Sequence, residues 1–195
     1  MNYAIWISAA SAVIAALGAW LVFFRLRADH ELSRRTQTLA LMTFWYHVVR
    51  EDHLMMPCIR LADSLNKAEL DSLLQGREIE IGGEARKTAA MIAASKGFLH
   101  EDTGGGVKLG IEASYYIRQQ TYSYLNALEI LATAWTDALI DEPTFDREFR
   151  SVFLPASGKP PLLDFIDRSG IFPAVRVAQL HFLPDYEAKK RAQIA

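Results

Sequence analysis

From Tyr3 to Phe24 the chain reads YAIWISAASAVIAALGAWLVFF, with no charged residue and no proline. At a rise of about 1.5 Å per residue, such a run covers about 30 Å as a helix, which is the thickness of a bilayer's hydrocarbon core. Lipid offers backbone groups no partner outside the segment, so the run is expected to be helical rather than extended. Tyr3, Trp6, Trp20, Phe23 and Phe24 stand near its ends, where aromatic rings favour the headgroup level. A cleaved signal peptide would carry basic residues ahead of a shorter run, and few helices of a soluble core are apolar on every side for this length. The expectation is a single-pass transmembrane helix over residues 1–24. Arg25, Arg27, Arg34 and Arg35 follow the run and none precedes it, which places the N-terminus outside and the remainder in the cytoplasm.

The same run has a face of small side chains. Ala4, Ser8, Ala12 and Ala16 recur every fourth residue, with Ser11, Ala15 and Gly18 beside them. Small residues let backbones approach closely, which is how helices associate in lipid. These seven positions are the candidate self-association face, and a homo-oligomer is the expected state.

Roughly 170 residues follow the run, enough for one further domain with a sizeable core. A net charge of −2 gives no basic excess, so no DNA partner is expected. The juxtamembrane arginines suit anionic lipid headgroups instead. Cys58 is the single cysteine, which rules out an internal disulfide and fits a reducing compartment.

No glycine or proline lies between Gly18 and Pro57, so the first helix should continue as a stalk over residues 25–56. Ala28, Leu32, Leu39, Met42, Tyr46 and Val49 give it an apolar stripe that Arg35 interrupts. Residues 57–195 read as a cytoplasmic α-helical domain. In it, Asn66 and Glu69 form a capping box, Gly76 and Gly97 stop helices, and the long stretch Ile111–Ile140 carries a seam of apolar residues. REIEIGG alternates like a short strand, and FLHEDTGGGVKLGI resembles a hairpin around a glycine turn. Asp141 caps a helix with Pro143 in its first turn, and a charged tail follows Pro184. The fold class is all-α: a transmembrane helix continuing into a helical bundle, with at most one small β-hairpin.

Chemistry-bearing motifs are sparse. Gly104–Gly106 has no Gly-Lys-Ser/Thr after it and reads as a turn, not a phosphate loop. Glu51-Asp52-His53 and His100-Glu101-Asp102 lack convergent ligand spacing, so neither a metal nor any other cofactor is expected. Glu129 stands beside the apolar seam with Asn126 one turn earlier; a paired acid is expected there, with Arg34, Arg35 or Arg118 as its partner.

The order of phrases Arg34-x-Thr36, then Asn126, Glu129 and Leu131, then Leu139-Ile140-Asp141, resembles the domain of unknown function 4760 family. That resemblance implies a membrane-anchored bacterial or prophage protein. A looser similarity is to the small membrane accessory protein of type VI-B CRISPR loci, whose helical domain is likened to the HEPN nuclease fold. It rests on the architecture and on Arg176-x4-His181, a spacing that Arg25 and His30 share. In such nucleases the arginine and histidine act at the scissile phosphate, so Arg176 and His181 are the candidate catalytic pair. The expectation is a non-enzymatic, self-associating effector or sensor at the bacterial inner membrane, in a phage-defence-type role that includes pore formation. It would meet the bilayer, other copies of itself, and a cytoplasmic protein or small-molecule signal. The alternatives are a passive membrane scaffold and a HEPN-like ribonuclease.

Overall fold

A computed structural model describes the backbone of residues 3–155 and 159–194, and the side chains of residues 17–155 and 159–184. Among the described residues eight helices and three strands follow in the order α1 (Tyr3–Glu51), α2 (Met55–Ser64), α3 (Lys67–Gln75), β1 (Ile79–Gly82), α4 (Ala85–Lys96), β2 (His100–Asp102), β3 (Gly106–Leu109), α5 (Ile111–Thr136), α6 (Glu142–Phe153), α7 (Leu163–Ser169) and α8 (Pro173–Ile194).

The sequence places the boundaries by side-chain chemistry. Asn66 Oδ1 accepts from the backbone N–H of Ala68 and Glu69, and Glu69 Oε2 accepts from Asn66 N–H, so three backbone donors at the start of α3 are satisfied. Gly76, at φ 65°, ends that helix in the left-handed region, where glycine has no Cβ penalty. Asp141 Oδ2 accepts from Thr144 N–H to start α6.

α5 is the axis of the body and touches α1, α2, α3 and α8. Ile117, Thr121, Tyr124, Leu125, Leu128 and Leu131 are buried along it. Phe145, Phe149 and Phe153 recur every fourth residue on α6 and bury one face. Trp135 stacks on Phe145 with ring centroids 5.1 Å apart, and Phe182 of α8 closes the cluster.

Three expectations need correction. The single-pass transmembrane helix is overturned: among the described residues no helix is long and apolar enough to cross a membrane. In α1 the described side chains begin at Leu17 and Arg25 ends the uncharged run. Leu17–Phe24 amounts to about 12 Å of helix, against about 30 Å for a bilayer core. Nor is the remainder a helical bundle with one hairpin. REIEIGG supplies β1, which pairs with the far side of β3, and the result is a three-stranded antiparallel sheet in the order β1-β3-β2. Ile79 lies opposite Leu109 and Ile81 opposite Val107, and all four are buried. Pro184 also fails to end the last helix; α8 runs through it to Ile194, with one ladder hydrogen bond absent at the proline.

Candidate functional site

Among the described residues α1 packs its buried side chains against the body in its C-terminal third. Every described residue from Leu17 to Gln37 is exposed, whereas Thr38 and Trp45 are buried and Leu41, Met42, Val48 and Val49 are half-buried. The helix runs antiparallel to α5. Trp45 packs on Tyr124 with centroids 5.3 Å apart, and two turns further on Asp52 meets Tyr116 and Gln120.

Beside this contact lies an open groove. Two adjoining cavities of about 730 and 530 Å³ share Asn126 and Ile130. Gln37, Ala40, Leu41, Phe44 and Val48 of α1 form one wall. Asn126, Ile130 and Thr133 of α5 form the other. From Gln37 to Glu51 the groove is about 21 Å long. The half at Gln37 is mostly apolar, with Glu129 and Asp137 in its lining; the half toward Glu51 and Asp52 is about as polar as apolar.

Asp52 ties that far end together. Its Oδ1 accepts from Leu54 N–H at 2.9 Å; its Oδ2 accepts from Lys96 Nζ at 3.1 Å, from Gln120 Nε2 at 3.4 Å and from the Tyr116 hydroxyl. Burial alone would raise its pKa, but the Tyr116 hydroxyl, the Leu54 N–H and the Lys96 ammonium outweigh that and hold the carboxyl below its ordinary 3.8. Burial and the Asp52 charge push the Tyr116 phenol well above its usual range, so it stays a donor. Lys96 Nζ also sits 4.7 Å from the Tyr116 ring centroid. Nearby Cys58 is fully buried, and burial with the Asp52 charge pushes its thiol up to about 12. A thiol in that state is a poor nucleophile.

Glu129 has a role that its neighbours in sequence do not reveal. Its carboxylate accepts from the backbone N–H of Ala174 at 3.0 Å and of Val175 at 2.9 Å, so it caps α8 from across the body. An arginine partner was expected; two backbone donors and the positive end of a helix take that place. Arg118 donates instead to the Leu74 carbonyl at 2.9 Å and lies over the Tyr115 ring. Arg34 and Arg35 are exposed on α1, and Asn126 is exposed in the groove.

Arg176 and His181 both lie on α8, but five residues of helix turn them about 140° apart. Arg176 Nε is 3.3 Å from Asp167 Oδ1. His181 packs on Trp135 with centroids 4.7 Å apart, and its Nε2 is 3.9 Å from Asp146 Oδ1. The chain itself does not bring the two side chains to one face. Ala4, Ser8, Ser11, Ala12, Ala15 and Ala16 of the small-residue face lie outside the described side chains; Gly18 is exposed, and a Cβ there would meet nothing within 4 Å. Among the described residues no group of three His, Cys, Asp or Glu side chains could hold a metal ion.

Sequence reasoning missed the groove and the Asp52 hub, because both are made by residues far apart in the chain. The Glu129 cap had one local signal. Phe172 precedes Pro173 without a Ser, Thr, Asp or Asn to cap α8, so its first-turn N–H groups had to find an acceptor elsewhere.

No family model, no curated protein and no solved structure matches this chain.

Proposed function

We propose that the protein is a non-enzymatic, self-associating effector or sensor that works at the bacterial inner membrane. One observation carries this reading: every described residue of α1 from Leu17 to Gln37 is exposed, and the helix presents Trp20, Leu21, Val22, Phe23, Phe24, Leu26, Leu32 and Leu39 to solvent. Apolar surface on this scale marks a contact with something other than water. The two parts of the helix differ. From Leu17 to Phe24 it is apolar on every side, which suits lipid, and Arg25 and Arg27 follow where anionic headgroups would lie. From Leu32 onward Leu32, Leu39 and Tyr46 keep an exposed apolar stripe on the side away from the groove, which suits another helix. The body contributes a groove between α1 and α5 and packs the two helices together through Trp45, Tyr124 and Asp52, so that what binds the groove touches the stalk directly.

The test is vesicle flotation of the purified full chain, with lipids that are neutral or one-third phosphatidylglycerol. Flotation with the anionic vesicles, weakened by Arg25→Glu with Arg27→Glu, is the expected result. A chain that stays at the bottom of the gradient with both compositions would remove the membrane part of the proposal.

A further inference from the structure

We infer that copies of this chain join head to tail, with the outer stripe of one α1 seated in the α1/α5 groove of the next. This deepens the self-association proposed above and depends on it. Leu32, Leu39 and Tyr46 recur every seventh residue and are 65, 63 and 51% exposed. A seven-residue repeat is the spacing at which one helix lies along another. On a helical wheel this stripe lies roughly 160° from the side of α1 that lines the groove. The body occupies the arc between them, since Thr38, Trp45 and Val49 point there. Stripe and groove therefore flank the same body on opposite sides. A surface that meets a different surface on the next copy makes a heterologous contact, which closes as a ring or extends as a filament.

The two surfaces match in length and in charge. Leu32 to Tyr46 covers about 21 Å, as does the groove from Gln37 to Glu51. Arg35 and Arg50 border the stripe near its two ends, and Asp137 and Glu51 stand at the two ends of the groove. Among the described residues none of these four makes an ion pair within its own chain. Seated parallel, the neighbour brings Arg35 to Asp137 and Arg50 to Glu51, with Leu39 between them against Phe44 and Ile130. Parallel seating also leaves every Leu17–Phe24 segment at the same end of the assembly. The partner is thus a second copy, met through an amphipathic helix laid in a groove.

The experiment uses two full-length variants, Leu39→Cys and Ile130→Cys. Both positions are exposed, so neither change disturbs the core, and Cys58 is buried and unreactive. Each variant alone and an equimolar, co-expressed mixture are treated with a short bis-maleimide. The mixture should give a cross-linked pair at least five times more abundant than either variant alone, with the link mapped between positions 39 and 130. Arg35→Asp should lower that yield, and Asp137→Arg in the partner variant should restore it. Linking of Leu39→Cys to itself as efficiently as in the mixture would mean a two-fold contact and would overturn the inference. So would a mixture without cross-links from a protein that still sediments as an oligomer; self-association would stand and this surface would not. A monomer by sedimentation would end both.

Discussion

Replacing Glu129 tests the link between the groove and the last helix. Its carboxylate takes the N–H groups of Ala174 and Val175, two of the donors that α8 cannot satisfy internally. Hydrogen bonds to a charged group are each worth about 1.5–3 kcal/mol, and a negative charge at a helix start adds about 0.3–1 kcal/mol. Glu129 is half-buried, so the low end applies, and Glu129→Ala should cost about 2–4 kcal/mol. Gln keeps one acceptor oxygen and should cost about 1–2 kcal/mol. For a chain of this size 1 kcal/mol moves Tm by about 2–4 °C, so the Ala variant should melt about 4–16 °C lower. Calorimetry measures the shift. Hydrogen exchange locates it, since the amides of Ala174 and Val175 should exchange faster in both variants. An Ala variant within about 0.5 kcal/mol of the parent, with unchanged protection at those amides, would refute the capping role.

Asp52 should give the protein an acid-sensitive joint. Its folded pKa is lowered, so its contribution is complete above about pH 5 and is lost as pH falls through the folded value, below 3.8. Urea midpoints of parent and Asp52→Asn should therefore differ at pH 7 and converge toward pH 3; a constant gap would show that the charge is not responsible. At Gly106 an added Cβ would lie 2.9 Å from the Ile81 carbonyl oxygen, so Gly106→Ala should destabilise by about 1–3 kcal/mol. Gly105→Ala, with open space at the Cβ, should be close to neutral, and equal denaturation midpoints for the two would contradict the strand spacing. Incubated with single-stranded RNA, the parent should leave it intact, and Arg176→Ala and His181→Ala should behave identically. RNA cleavage lost in either variant would restore the nuclease alternative.

Local chemistry made much of the fold legible. The Asn66–Glu69 capping box, the Gly76 and Gly97 stops and the Asp141 cap are interactions within one or two turns, and each lies where its residues indicated; the long α5 forms from Ile111 but ends at Thr136, short of the expected Ile140, with Ala138 at φ 54°. The absence of glycine and proline after Gly18 foretold an unbroken α1, but the helix ends at Glu51 rather than at residue 56: Asp52 takes the Leu54 N–H in a turn, and Pro57 lies inside α2. What was not legible depends on distance in the chain. β1 finds its partner β3 across α4, and four alternating residues do not say which strand they will join. Asp52 looked like the polar end of a helix because Lys96, Tyr116 and Gln120 are all more than 40 residues away. Pro184 looked like a terminator, yet α8 continues through it. The apolar N-terminal run read as a membrane span, and among the described residues no helix is long and apolar enough to be one.

Sedimentation velocity on the full chain in mild detergent, with the detergent matched out, tests the central claim most directly. Self-association through α1 predicts a species several times the 21.9 kDa of one chain, reduced toward one copy by Leu32→Glu with Leu39→Glu while the circular dichroism is unchanged. A single 21.9 kDa species for the parent across micromolar concentrations would contradict it.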